Sequence, residues 1–266
     1  MIFKGKQTVL VTGASGGIGL ELAKLFAADG FDLVLVSRSE KALNVLAGDL
    51  QKKHGITAKV IAKDLSRVES CRELYDECAR SGIRVDILVN NAGFGGWGNY
   101  WETDLESETR MMDLNMISLA QLTKLFLKGM VERRHGRILN VASTAAFQPG
   151  PLMAVYYATK AFVLSFSEAI AEELKDTGVK VTVLCPGPTE TNFRKAAGMK
   201  KSMLFSKHLN MDVTFVAKTG YTDLMKGKVL SIPGFKNRLV MQSLRLAPRA
   251  FIRSSVKKMQ EARKEL

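Results

Sequence analysis

Short apolar runs alternate with amphipathic stretches along most of the chain. Residues 7–12 (Q-T-V-L-V-T) form a β-branched run that predicts a buried strand. Ile18, Leu22, Leu25 and Phe26 then recur at helical spacing, and Gly30 closes that helix. The same alternation repeats. It predicts strands over 33–36, 58–62, 85–89, 137–142 and 180–184, and helices over 41–53, 66–80, 106–132 and 157–175. One more strand is expected near 227–232, where the pattern has loosened. Strands that are apolar throughout and separated by helices imply an α/β fold. The expected architecture is a doubly wound parallel sheet in three layers, α/β/α, forming one domain over 1–266. Ligands of such sheets bind at the carboxyl ends of the strands.

Composition changes this picture little, except for charge. With 46% hydrophobic residues the chain can fill a large core, and no apolar run reaches the ~18 residues of a membrane span. The opening M-I-F-K-G-K carries no apolar leader, and Cys71, Cys78 and Cys185 are few and odd in number. Free thiols in a reducing, cytoplasmic setting are therefore expected. His54, His135 and His208 are scattered, without metal-ligand spacing, so no metal site is expected. Residues 1–193 hold 22 Lys and Arg against 22 Asp and Glu, so the whole formal charge of +13 falls in residues 194–266. A neutral body with a basic tail region suggests one localised anionic partner.

Residues 12–19 read T-G-A-S-G-G-I-G, between the first strand and the first helix. Glycines there let backbone N–H groups approach a pyrophosphate at a helix N-terminus. The spacing is G-x-x-x-G-x-G. N-N-A-G closes the fourth strand, and Asn115, Ser143, Y-x-x-x-K and Pro186-Gly187 follow in order. Over residues 6–193 these motifs together resemble the short-chain dehydrogenase/reductase family. The resemblance implies a nicotinamide cofactor held by Gly13, Ser15, Gly17, Ile18, Gly19, Asn91, Ala92 and Gly93, with Asp64 and Leu65 bordering the adenine. It also implies that Pro186, Gly187, Thr189 and Thr191 hold the nicotinamide carboxamide and pyrophosphate; Thr189 stands where relatives often carry valine or isoleucine. The second strand ends in Ser37-Arg38 rather than an acid, so no carboxylate repels a 2′-phosphate and a guanidinium can bind it. NADP(H) is the expected cofactor.

Y-Y-A-T-K at 156–160 poses a choice between two phenols. On a helix Tyr156 shares a face with Lys160, and Tyr157 with Ala161. A neighbouring ammonium favours the phenolate, so Tyr156 is expected to react, with its pKa lowered, while Tyr157 packs. The resemblance agrees. It implies that Tyr156 exchanges a proton with the carbonyl or alcohol oxygen while Ser143 hydrogen-bonds that oxygen. Lys160 would bind the nicotinamide ribose, and Asn115 would hold a relay water.

Phe94, Trp97, Tyr100 and Trp101, then Phe147, then Phe193, Met199 and Met203, lie on loops expected around the nicotinamide. They suit a hydrophobic ketone, aldehyde or secondary alcohol. Pro248 begins a basic amphipathic stretch, with Phe251, Ile252, Val256 and Met259 expected on one face and packing within a homo-oligomer (dimer or tetramer). Its other candidate partners are an anionic membrane surface and a phosphate-bearing acyl carrier; nucleic acid is not expected. The competing functional readings are a cofactor-binding sensor or partner-docking protein, and a membrane-peripheral reductase of acyl thioesters.

Overall fold

The apolar runs become seven strands of one parallel sheet. In the computed structural model, which describes residues 6–191, 193, 210–244 and 246–261, the strands are β1 Thr8–Thr12, β2 Asp32–Ser37, β3 Ala58–Ala62, β4 Val85–Asn90, β5 Gly136–Val141, β6 Val179–Leu184 and β7 Leu230–Ser231. Their order in space is β3-β2-β1-β4-β5-β6-β7. Every pairing is parallel, from Thr8 opposite Asp32 to Leu184 opposite Ser231. The order reverses between β1 and its two neighbours, β2 and β4, so a cleft opens at the tips of β1 and β4.

One face of the sheet is covered by α1 (Gly17–Ala28), α2 (Glu40–His54) and α7 (Val213–Met225). The core there is Val9, Val11, Leu22, Phe26, Leu33, Leu35 and Leu43, with Val216 and Leu224 from α7. The other face is covered by α3 (Ser70–Arg80), α5 (Leu119–Glu132) and α6 (Ala154–Glu173), packing Leu10, Val34, Leu74, Leu88, Leu122 and Met130. Alternate residues of the strands serve opposite faces, which is why the strands are mostly apolar; Lys59, Asp86, Arg137 and Lys180 interrupt them, and Lys59 and Lys180 are exposed. Two short helices end the described chain, α8 (Phe235–Ser243) and α9 (Arg249–Gln260).

Three of the expected helices differ from the periodicity. The one expected over 66–80 starts only at Ser70, because residues 64–69 form turns, with Asp64 bonded to Ser66. The stretch expected over 106–132 is α4 (Leu105–Met112), a π-helical turn at Asp113–Ser118, and then α5. Such a turn keeps the apolar stripe running while inserting a residue, so pattern alone does not expose it. Helix α6 begins at Ala154, three residues earlier than expected, which places Tyr156 in its first turn.

The C-terminal helix also differs. Ile252, Val256 and Gln260 form its buried stripe, while Phe251 is 67% and Met259 36% exposed. Its inner face packs on Ala145, Met153 and Tyr157 of its own subunit rather than on another copy. Ile252 and Val256 are on the buried face as expected, but the i, i+4, i+8 stripe includes a glutamine, so an apolar-only search missed Gln260 and added Phe251 and Met259.

Candidate active site

A cleft of about 830 Å3 runs along the strand tips. Its floor is the turn after β1. The Thr12 hydroxyl accepts from the backbone N–H groups of Asn91 (2.9 Å) and Ala92 (3.0 Å) and donates to the Val89 carbonyl. The Asn91 side chain donates back to the Thr12 and Gly13 carbonyls at 2.9 and 3.3 Å. These bonds tie the tips of β1 and β4 together. Gly13 (φ 66°) has no room for a side chain, since a Cβ would lie 2.8 Å from Asn91 Nδ2. Gly19 lies behind the turn, buried against Asn91 and the Gly13 carbonyl; it permits that approach and does not line the cleft. Gly16 precedes α1 without any side-chain cap, and no acid stands in the helix's first turn. The N–H groups of that turn therefore open toward the cleft, where an anion would satisfy them.

Of the expected cofactor residues, Gly13, Ser15, Gly17, Ile18, Ser37, Arg38, Asp64, Leu65, Asn91, Ala92 and Gly93 line the cleft, as do Pro186, Gly187, Thr189 and Thr191. Arg38 is exposed at the tip of β2. Asp64 is subject to some burial, which would raise its pKa. The backbone N–H and hydroxyl of Ser66 (3.0 and 2.8 Å), with Arg38 and Arg110, outweigh this and lower it. Arg110, Lys63 and Ser39 also line this end, and the sequence reading passed them over. Lys63 and Ser39 sit within two residues of assigned positions, so a search just past each strand end would have found them. Arg110 comes from α4, far along the chain. The Thr189 hydroxyl is occupied by the Gly187 carbonyl at 2.8 Å, leaving its backbone for a ligand. Gly187 rests against Asn237 of α8, which therefore props the loop after β6.

At the other end, Ser143 follows β5, and Tyr156 and Lys160 come from α6. The Ser143 hydroxyl donates to the Pro186 carbonyl at 3.4 Å and accepts from the Ala145 N–H at 3.1 Å, and it stands close enough to the Tyr156 phenol to favour its ionised form. Lys160 is buried and donates to the Val141 carbonyl at 2.8 Å, with its nitrogen 5.8 Å from the Tyr156 ring centroid. Burial pushes the Tyr156 phenol well above its usual range, and the nearby Ser143 hydroxyl offsets part of the rise. The lowering expected from a neighbouring ammonium is not the net result in the protein alone, because burial acts on both groups. The same burial drops Lys160 to about 8.

Asn115 sits in the π-helical turn. Its Oδ1 accepts from the Phe94 N–H (3.1 Å), and its Nδ2 donates to the Phe94 carbonyl (2.9 Å) and the Thr159 hydroxyl (3.1 Å). It stands behind Gly93, where a Cβ would meet Asn115 Oδ1 at 2.8 Å and Lys160 Nζ at 3.6 Å. Asn115 thus touches the cleft through Gly93 and does not itself line it.

Of the aromatic residues expected around the nicotinamide, Phe94 and Phe193 line the cleft, and the Phe193 ring lies 5.2 Å from that of Tyr156. Tyr100 (65% exposed) and Trp101 (80%) point to solvent, because the loop turns outward there. Phe147 packs in the core. Trp97 donates to the Gln260 carbonyl at 3.4 Å and so holds α9. Met199 and Met203 lie outside the described residues. At this end Met153, Tyr157 and Gln260 also line the cleft, where the sequence reading did not place them. Tyr157 is buried as expected, but its hydroxyl also accepts from Gln260 Nε2 at 2.9 Å. No local signal marks a contact that spans 103 residues.

A family described as short chain dehydrogenase matches residues 7–202. The chain belongs to the short-chain dehydrogenase family. It is 36% identical over 192 residues to a very-long-chain 3-oxoacyl-CoA reductase of Anas platyrhynchos, covering 70% of this chain and 61% of the relative. It is 32% identical over 215 residues to a 17-beta-hydroxysteroid dehydrogenase type 3 of Mus musculus, covering 79% and 69%. The chain thus spans less than two thirds of the length of several curated relatives. Among solved structures it resembles a short-chain dehydrogenase from Sphingobium yanoikuyae in complex with NADPH, with a TM-score of 0.83 and 30% identity over 98% of this chain and 100% of that one. It also resembles a bulky-bulky ketone specific alcohol dehydrogenase from Comamonas testosteroni, with a TM-score of 0.78 and 26% identity over 98% of both chains. An oxidoreductase fold and family are therefore established. As a family member the chain has its polar residues gathered at the expected strand tips, and among the described residues no cluster of His, Cys, Asp or Glu suits a metal ion.

Proposed function

We propose that the protein transfers a hydride between NADP(H) and a hydrophobic ketone, aldehyde or secondary alcohol. The observation that carries this is the convergence of Ser143, Tyr156 and Lys160 on the cleft that also receives the uncapped N-terminus of α1. The residues fit a dinucleotide. Donors of the α1 first turn suit the pyrophosphate. Arg38, with Ser37 and Arg110 nearby, suits a 2′-phosphate, and Lys160 has two N–H groups beyond the one given to Val141 for the ribose. The nicotinamide supplies the hydride when bound; everything else falls to the protein.

In reduction Tyr156 gives its proton to the carbonyl oxygen. A phenol held protonated by burial is ready for that direction at neutral pH. Ser143 positions the same oxygen by a hydrogen bond and steadies its developing charge. Lys160 is a close cationic neighbour of Tyr156, and favours the phenolate once the proton has left. Asn115 spends its side chain on Phe94 and Thr159, so a relay water would sit at its main-chain carbonyl in the π-helical turn. Phe94, Met153 and Phe193 supply an apolar wall next to the reacting oxygen. A 3-oxoacyl thioester is a hydrophobic ketone as well, and the reductase relative favours it within the class. Three free buried cysteines fit a reducing cytoplasmic compartment. Exposed Ile117 and Phe162 offer an apolar patch for a second copy in a homo-oligomer.

NADPH oxidation measured across apolar ketones, aldehydes and acyl thioesters tests the proposal. Turnover is expected with at least one of these classes. No turnover in either direction, together with tight NADPH binding, would transfer the protein to the sensor reading.

A further inference from the structure

Between Asp223 and Glu261 the chain holds nine Lys and Arg and no Asp or Glu. Helices α8 and α9 fill most of this stretch, and their inner faces dock on their own subunit through Met241, Ile252 and Val256. Among the described residues nothing covers several large apolar side chains on their outer surface. Phe235 is 75% exposed, Leu239 61%, Leu246 90% and Phe251 67%. Phe235 and Leu239 are four residues apart on α8 and share one stripe. Lys236 and Lys258 are exposed on the outward sides of the two helices, with Leu239 and Phe251 respectively, whereas Arg249 and Arg253 are exposed on the flank beside the buried stripe.

We propose that this outer surface docks the protein on an anionic phospholipid bilayer. Large apolar side chains interleaved with cations match the two requirements of an interface: apolar groups that enter the headgroup boundary, and positive charge that meets lipid phosphate. A two-fold contact between copies would set this surface against itself, cation against cation, without a carboxylate between Asp223 and Glu261 to relieve it. A nucleic-acid backbone would use the cations and leave four large apolar side chains in water. Among the described residues no helix is long and apolar enough to cross a membrane, so the attachment is peripheral. Helix α9 meets the cleft through Gln260 on its inner face. Lipid and substrate cleft would therefore lie on opposite sides of one helix.

The test is co-sedimentation of the full chain with vesicles. Vesicles rich in phosphatidylglycerol should pellet the protein at least about tenfold better than phosphatidylcholine alone, and added salt should weaken the binding. Phe235→Ser/Leu246→Ser/Phe251→Ser and, separately, Lys236→Glu/Lys258→Glu should each cut binding about tenfold or more. Both variants should keep the wild-type melting temperature and NADPH affinity, since none of these residues lines the cleft. Equal pelleting with neutral vesicles, or unchanged binding in both variants, overturns the proposal. So does a wild-type protein that ignores vesicles but forms a concentration-dependent dimer broken by the apolar variant; that result assigns the surface to a second copy. Vesicle binding needs no substrate, so its outcome is independent of the proposed reaction.

Discussion

The two ends of the cleft are built differently. The dinucleotide end rests on short segments at neighbouring strand tips, where backbone groups do much of the holding: the α1 first turn, Thr12 with Asn91 and Ala92, and the loop after β6. The far end is assembled from pieces distant in the chain: Trp97, Met153, Tyr157 and Gln260. A backbone-built site tolerates little change in geometry and much in surface chemistry. A side-chain wall carried by a terminal helix can be altered without disturbing the sheet. In this chain the cofactor end is thus set by backbone and the far wall by side chains brought together from distant segments.

The contrast predicts effects of very different size. Tyr156→Phe should lower turnover by about a thousandfold, as expected when a positioned proton donor is lost, while NADPH affinity measured by fluorescence titration stays near wild type. Normal turnover in that variant would break the proposed division of labour. Next comes Arg38→Ala. Losing charge-assisted hydrogen bonds should raise the Kd for NADPH by about ten- to a hundredfold and leave NADH binding almost unchanged. A parallel loss for both cofactors would place Arg38 outside the 2′-phosphate site.

The pH profile is a third check. Burial holds Lys160 at about 8, below its ordinary value, so its charged form prevails below that pH. Reductive kcat/KM should fall above pH 8, towards about tenfold per unit, and Lys160→Met should flatten that limb at a lower rate. The sign for stability is opposite. The unfolded lysine binds the extra proton between its unfolded pKa of 10.5 and 8, so this group's contribution improves as pH rises through that window and is fully lost below it. The smallest effect belongs to the far end. Tyr157→Phe removes the Gln260 bond and should cost about 1 kcal/mol, a drop of roughly 2 °C in melting temperature. It should shift the ranking among substrates by severalfold while sparing NADPH affinity.

Much of the fold was legible because its cause is local. Six strands are carried by short β-branched or aliphatic runs, and burial of most strand positions keeps interruptions to a few residues such as Lys59, Asp86, Arg137 and Lys180. Helix α7 escaped notice because it follows a stretch without clear periodicity, and β7 is only two residues long. On the cofactor side each assigned residue belongs to a motif of a few residues beside a strand end. Gly19, read as touching the cofactor, and Asn115, read as holding a relay water, stand one layer behind the cleft, a distinction of depth that spacing does not encode.

The order of apolar runs and glycine turns alone determined the doubly wound sheet and the strand tips that carry the cleft. Those depend on contacts within one strand, turn or helix. The tertiary structure decided which way the phenol titrates, which face of α9 is buried and that Gln260 closes the cleft. Burial and a hydrogen bond across 103 residues arise only when distant segments pack, and no stretch of sequence contains both partners.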